Sequence, residues 1–144
     1  MPRVKIELPD SFHFQCRIPV RITDINYGGH VGNDALLSII HEARLQYLKQ
    51  LGYSEMDFEG QGMIMSDVAI EFKGELFYGD IVLASAAAGD ISKIGFDIVY
   101  KLEKQTTKGT TLVARAKTGM LCYDYEKKKI IQLPEKAKSK LQSG

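Results

Sequence analysis

The sequence predicts an α+β fold in which an antiparallel sheet wraps around one long central helix. An apolar period typical of an amphipathic helix runs from about residue 33 to residue 52, and no second segment of that length repeats it. Four or five segments rich in Val, Ile and aromatic residues follow, separated by glycines or charged turns, as is typical of strands. Because one helix precedes a run of strands, the order favours an antiparallel sheet.

A strand and a glycine-rich loop precede this helix. Residues 15–23 (QCRIPVRIT) are rich in β-branched side chains and predict a strand, and Pro19 within them indicates a sheet edge or a bulge. The loop at residues 24–33 (DINYGGHVGN) holds three glycines and two asparagines. We therefore expect a positive φ angle somewhere in this loop.

The helix has signals at both ends and one charged residue on its apolar face. Asn33 is the predicted N-cap and Gly52 the residue that ends the helix in the left-handed conformation. At 100° per residue, Arg44 falls within the apolar arc and needs a buried partner, for which Asp24 is a candidate. Glu42 falls on the opposite, polar face.

The remaining chain is predicted to be mostly β structure. Predicted strands cover residues 63–73, 80–90, 93–104 and 110–126, with a short strand at 129–133 and one helical turn at 54–57. Short turns between the later strands predict a meander. Such a sheet leaves an edge that a second copy can pair with, which favours a homodimer or homotetramer.

Composition restricts the class of protein. A length of 144 residues predicts one domain over residues 1–144, and a formal charge of +1 argues against nucleic acid as a partner. The sequence lacks the roughly 18 consecutive apolar residues of a membrane span. Cys16 and Cys122 stand far apart with no metal-ligand spacing, so we expect no metal or other cofactor and a reducing cytoplasm.

Three segments carry a resemblance to a known family. RITDINYGGHVGN (21–33), HEAR (41–44) and EFKGELFYGD (71–80) resemble the hotdog-fold acyl-CoA thioesterases of the 4-hydroxybenzoyl-CoA thioesterase type. The loop is also similar to that of plant acyl carrier protein thioesterases. The resemblance covers about the first hundred residues in order and spacing. It implies hydrolysis of an acyl-CoA, or an acyl carrier protein thioester, at a site on a subunit interface.

The chain departs from the family at one position of the loop. The family pattern is D-x-D-x-x-G-H-V-x-N, with the second aspartate as the catalytic carboxylate. Asp24 matches the first aspartate, His30 the histidine and Asn33 the asparagine, but Asn26 stands in the place of the second aspartate. Because an amide neither accepts a proton at neutral pH nor attacks a thioester, another residue must do that work or the activity is absent.

The loop nevertheless offers groups suited to thioester hydrolysis. The backbone N–H groups of Gly32 and Asn33, at a helix N-terminus, suit the developing oxyanion. His30 is a candidate base, because the ordinary imidazole pKa lies near neutrality. Asp24 is predicted to orient that base or act directly, and Asn26 to hold the water or the acyl carbonyl.

Each assignment has a simpler alternative. Asp24 fits a turn-capping residue, and His30 fits a surface histidine. Glu42 either faces a subunit interface or active-site water, or is simply solvated. A dehydratase using a histidine and a helix carboxylate, and a non-catalytic module that binds acyl thioesters, remain open. A C-terminal lysine cluster is either a solvated tail or a contact for the CoA phosphates: Lys127, Lys128, Lys129, Lys136, Lys138 and Lys140.

Overall fold

The computed structural model describes residues 3–143, so the two N-terminal residues and the last residue of the predicted domain lie outside the described part. The elements follow the predicted order of strand, long helix and further strands. They are β1 (Phe14–Pro19), a 3₁₀ turn (Ile22–Asp24), α1 (Asn33–Gln50), β2 (Gly62–Phe72), β3 (Ile81–Gly89), β4 (Gly95–Thr106), β5 (Gly109–Asp124), β6 (Lys129–Ile130) and α2 (Glu135–Ser143).

The six strands form one antiparallel sheet in the order β1-β3-β4-β5-β2, with β6 paired to β5. The predicted meander is confirmed as β3-β4-β5. The chain crosses from α1 to β2 at the far edge before returning to β3, so β1 and β2 are the two ends of the order. The edge position that Pro19 predicted for β1 is therefore correct.

The apolar face of α1 packs against the concave face of this sheet. Burying one such aliphatic or aromatic side chain stabilises the fold by about 1.5–3 kcal/mol, which explains why a helix of 18 residues is held here. The buried apolar residues of the helix are Leu36, Ile39, Ile40, Ala43, Tyr47 and Leu48. Opposite them the sheet contributes Ile98, Tyr100, Leu102, Ala114 and Ala116.

The two ends of α1 differ in how well the sequence predicted them. Gly52 has φ +89° and its N–H donates to Lys49 O, as predicted for the end of the helix. The prediction of Asn33 as N-cap is wrong, because Gly32 is the extended residue before the first turn. Glycine has no side chain to cap with, so the N–H groups of that turn keep no side-chain partner from the cap.

Two short segments also differ from prediction. The first strand ends at Pro19 instead of continuing to Thr23, because the chain turns where Asp24 Oδ2 accepts a hydrogen bond from Arg21 N–H at 2.8 Å. Residues 54–57 form no helical turn. Ser54 Oγ accepts a hydrogen bond from Asp57 N–H at 3.1 Å and closes a tight bend instead.

The C-terminal segment is a second helix, α2, which the sequence pattern did not predict. Ala137 and Leu141, four residues apart, are buried against the core. Lys140 Nζ lies 4.7 Å from the centre of the Tyr53 ring and donates to Leu51 O at 3.3 Å. The expectation of a solvated tail is therefore wrong for Lys140 and for the buried face of α2, whereas it fits the exposed lysines of the cluster, Lys127, Lys128, Lys129 and Lys136.

Among residues 3–143, no helix of the fold has both the length and the apolarity needed to cross a bilayer.

Candidate active site

The glycine-rich loop before α1 is a small hairpin. Ile25 and Val31 form a bridge, and Asn26 N–H donates to His30 O at 2.9 Å. Gly29 closes the turn with φ +86°, which confirms the expected positive φ angle. Val31 N–H donates to Leu76 O at 2.9 Å and so fixes the loop to the segment that follows β2.

Within this hairpin, the Asn26 side chain lies against the N-terminus of α1. Its Oδ1 accepts a hydrogen bond from Gly28 N–H at 2.9 Å. A methyl group added to Gly32 would lie 3.5 Å from Asn26 Nδ2 and 2.9 Å from Asp34 Oδ1. A side chain at position 32 would thus be too close to the Asp34 carboxylate and in ordinary contact with the Asn26 amide, both of which lie near the start of the helix.

His30 lies in a pocket of about 190 Å³ at the same helix end. Its Nδ1 is 3.2 Å from Val31 O. Because a carbonyl oxygen only accepts, this hydrogen bond places the proton on Nδ1 and leaves the Nε2 lone pair free in the neutral ring. The pocket is apolar apart from a few polar groups, and it is lined by His30, Val31, Gly32, Asn33, Leu36, Phe72, Gly74, Glu75, Leu76 and Val113.

This pocket combines two features useful for acyl transfer. The first turn of α1 presents N–H groups at the positive end of an 18-residue helix, where a negative charge is stabilised. Gly32 and Asn33 both line the pocket beside His30. The arrangement can therefore polarise a carbonyl oxygen next to a side chain that accepts a hydrogen bond from water.

Asp24 and Glu42 lie elsewhere, in a second cleft of about 330 Å³ between β1 and α1. Glu42 follows Asn33 by nine residues, which corresponds to about 14 Å along the helix. The six predicted site residues thus divide into two groups. The second cleft is lined by Arg17, Ile18, Pro19, Arg21, Asp24, Ser38, Ile39, His41, Glu42, Leu45 and Gln46.

The contacts of Asp24 are those of a residue that closes its own turn. Its side chain is 5% exposed, accepts the Arg21 backbone N–H at 2.8 Å and lies 3.2 Å from the Arg21 guanidinium. A carboxylate with these partners satisfies the 3₁₀ turn that leads into the loop.

Glu42 is exposed on the polar face of α1, as predicted. It accepts a hydrogen bond from Gln46 Nε2 at 2.7 Å.

Burial raises the pKa of the Cys16 thiol to about 11, and the nearby Glu42 carboxylate adds to the increase. Cys16 therefore remains a thiol at neutral pH and is a poor nucleophile.

Arg44 is buried, as predicted, but its partner is Glu55 and not Asp24. Arg44 Nε donates to Glu55 Oε2 at 3.2 Å, and His41 Nε2 lies 2.7 Å from Glu55 Oε1. Burial raises the pKa of Tyr100, whose hydroxyl is 2.7 Å from Thr118 Oγ1 in the same interior. The prediction of Asp24 was wrong because the loop after α1 returns beside Arg44, which helix geometry alone does not show.

One acidic residue in the His30 pocket was not singled out from the sequence. Glu75 lies in the turn after β2, within the EFKGELFYGD segment that was used only for the resemblance. Its sequence signal is a carboxylate directly after Gly74, in a segment that belongs to the family resemblance. Only the backbone hydrogen bond between Val31 and Leu76 shows how close the two segments are.

A single long helix packed in the curve of an antiparallel sheet, with a glycine-rich loop at its N-terminus, is the architecture of the hotdog fold. The chain belongs to the thioesterase-like superfamily, whose family model matches residues 20–141. A relative from Microcystis aeruginosa, named 1,4-dihydroxy-2-naphthoyl-CoA hydrolase, is 30% identical over 122 residues. The match covers 83% of this chain and 86% of the relative.

Solved structures support the same fold. The DHNA-CoA thioesterase from Staphylococcus aureus superposes with a TM-score of 0.79 at 23% identity, covering 90% of each chain. A mutant of 4-hydroxybenzoyl CoA thioesterase complexed with 4-hydroxybenzoyl CoA superposes with a TM-score of 0.80 at 17% identity. That match covers 89% of this chain and 97% of the other, so the similarity extends over most of both folds.

Proposed function

We propose that this chain is an acyl-CoA thioesterase, which hydrolyses an acyl thioester to the free acid and CoA. The observation that carries this proposal is the uncapped N-terminus of α1, which opens into the pocket that holds His30. Membership of the thioesterase-like superfamily and the activity named for the Microcystis relative support it.

The helix N-terminus supplies the electrophilic half of the mechanism. The thioester carbonyl oxygen binds at the backbone N–H groups of Gly32 and Asn33, where the charge of the tetrahedral intermediate develops. Loss of one donor of this kind typically lowers turnover by about a hundredfold to a thousandfold. The Asn26 amide, which lies against the same turn, donates to the carbonyl oxygen or to the attacking water.

His30 assists the other half of the reaction. Because its Nδ1–H donates a hydrogen bond to Val31 O, its Nε2 is free to accept a hydrogen bond from the attacking water and to orient that water. The water oxygen adds to the carbonyl carbon, and the carbon–sulfur bond breaks when the intermediate collapses. The products are the carboxylic acid and the thiol of CoA.

The acyl group is proposed to be aromatic, with an aliphatic acyl-CoA or an acyl carrier protein thioester as the alternatives. Leu36, Phe72, Leu76 and Val113 give the pocket apolar walls suited to a ring. The Microcystis relative is named for an aromatic acyl-CoA, which favours the same class.

We propose that the active form is a homodimer or homotetramer. β2 is the last strand of the sheet and pairs only with β5 among the described elements, so its other edge can accept a strand from a second copy. Met65, Val68 and Phe72 on this strand are exposed. A monomer measured by light scattering in dilute solution would contradict this part of the proposal.

The proposed location is the cytoplasm. Cys16 and Cys122 are both free, which is compatible with a reducing compartment.

A non-catalytic module that binds acyl thioesters is the second candidate, and the amide at Asn26 favours it. The deciding experiment measures thiol release from aromatic and aliphatic acyl-CoAs, with 1,4-dihydroxy-2-naphthoyl-CoA and 4-hydroxybenzoyl-CoA among them. Turnover that falls in His30→Ala supports the thioesterase. Tight binding of an acyl-CoA without thiol release would overturn it in favour of the binding module.

A further inference from the structure

We propose that Glu75 is the catalytic carboxylate of this chain and replaces the one that Asn26 lacks. The inference rests on the proposed thioesterase function. It is carried by the position of Glu75 in the pocket that also contains His30, Gly32 and Asn33.

The backbone around Glu75 is held on both sides. Before it, Gly74 N–H donates to Val113 O at 3.0 Å, and after it Leu76 O accepts Val31 N–H at 2.9 Å. The carbonyl oxygen of Glu75 itself accepts a hydrogen bond from Lys104 Nζ at 2.8 Å. Its side chain therefore starts from a fixed point of the pocket wall, directly beside the loop that contains His30.

Glu75 is also free of ion pairs, which distinguishes it from three other carboxylates but not from Asp34. Asp24 contacts Arg21, Glu71 contacts Lys73 and Arg115, and Asp80 lies 3.7 Å from Lys104 Nζ. Over residues 3–143, the structure gives the Glu75 carboxylate no cationic side chain as a partner. A carboxylate without such a partner can take up a proton without first breaking a salt bridge.

The reaction balances with Glu75 as the proton acceptor. One O–H of the water is hydrogen-bonded to His30 Nε2, and the proton of the other passes to the Glu75 carboxylate as the oxygen bonds to the carbonyl carbon. When the carbon–sulfur bond breaks, the CoA sulfur leaves with the electron pair and takes the proton from Glu75. Glu75 is then a carboxylate again, and the acid and the thiol are released.

Asp34 is the rival carboxylate at this site. Its Oδ1 approaches Gly32 from the first turn of α1, beside the Asn26 amide. A carboxylate in the first helical turn is stabilised there by the helix dipole whether or not it acts in catalysis. It does not line the pocket that holds His30, whereas Glu75 does.

The test compares kcat of four variants on the best acyl-CoA of the panel. Glu75→Gln is expected to lower kcat by at least about a hundredfold, the range typical of lost acid–base catalysis, with little change in KM. Asn26→Asp in the Glu75→Gln background is expected to recover at least about tenfold, because a carboxylate returns to the family position. Asp34→Asn and the remote Glu126→Gln, an exposed glutamate in the β5–β6 turn, are expected to keep kcat within about threefold.

The outcomes separate this inference from the proposed function. A wild-type chain that releases no thiol from any thioester would overturn the thioesterase and the role of Glu75 together. An active wild type whose Glu75→Gln variant keeps half of its turnover would overturn only the role of Glu75. A large loss in Asp34→Asn alone would assign the role to Asp34, and a loss in Glu75→Gln without recovery by Asn26→Asp would mark Glu75 as structural.

Discussion

Arg44 and Glu55 form a charge pair beneath the long helix, with Arg44 Nε 3.2 Å from Glu55 Oε2 and the Arg44 side chain 7% exposed. The pair joins the middle of α1 to the loop that follows it. Arg44 is the charged residue among the buried residues of α1, so the Glu55 carboxylate supplies the opposite charge there, and it also contacts His41.

We predict that Glu55→Ala lowers the free energy of unfolding by about 3 kcal/mol, because Arg44 is then a buried charge without a partner. The measurement is a urea titration followed by circular dichroism. The double variant Arg44→Met with Glu55→Gln should lose less than Glu55→Ala alone, since it removes the charge together with its partner. Equal midpoints for Glu55→Ala and wild type would show that the pair is not needed.

His30→Ala is predicted to lower thioester turnover at least about tenfold with the fold intact. General acid–base assistance is typically worth about a hundredfold to ten-thousandfold, and a histidine that only orients water gives less. Thiol release measures the rate, and circular dichroism checks the fold. His13→Ala is the matched control, because His13 is exposed in the N-terminal segment away from this pocket. Turnover equal to wild type would remove His30 from the mechanism.

Asn26→Ala is predicted to lower kcat at least about tenfold, or about 1.4 kcal/mol, because the water or carbonyl loses a hydrogen-bond donor. Asn26→Asp should keep or raise kcat. Its new carboxylate can accept the same Gly28 N–H and lies at the positive end of α1, which keeps it ionised at neutral pH. The measurement is kcat against pH for both variants. Profiles like wild type in both would make Asn26 a turn residue only.

Asp97→Asn is predicted to stabilise the protein at pH 7. Burial raises the pKa of the Asp97 carboxyl, Lys117 opposes the increase, and Asp90 and Asp67 add to it. The folded state thus binds this proton more tightly than the unfolded state, so the stabilisation is complete below the ordinary aspartate pKa and is lost as pH rises through the raised value. Asparagine carries no charge at any of these pH values, so the destabilisation that the buried aspartate charge causes at pH 7 is absent from the variant.

The gain from Asp97→Asn should therefore shrink as pH falls towards the ordinary aspartate pKa of about 3.9. Urea midpoints between pH 4 and pH 8 test this, with Glu126→Gln as an exposed control. Asp97 lines a surface cleft together with Glu7 and His13 of the N-terminal segment, so variants at these two positions would report whether their charges affect the stability. A gain that grows at low pH would have the wrong sign and would contradict the prediction.

Several elements of the fold could be predicted because they depend on residues close together in the sequence. The apolar period marked α1 to within two residues, and Gly52 marked its end because only glycine readily takes φ near +90°. The long strands could be recognised as runs of β-branched residues, because strand periodicity and turn residues are both visible within a few neighbouring positions. The loop motif located the start of the helix and the residues His30, Gly32 and Asn33, which the structure brings to one pocket.

Other features of the fold and of the site could not be predicted, because they depend on contacts between segments that are distant in the sequence. The helix α2 could not be predicted because only Ala137 and Leu141 mark its apolar face. Two apolar residues hold such a short helix only when they pack against a core that other segments have formed. The partner of Arg44, the separation of Asp24 and Glu42 from His30, and the presence of Glu75 beside His30 follow from how distant segments fold back on one another. Local residue patterns report the chemistry available to a segment, whereas the pairing of distant charges is set by packing of the whole core.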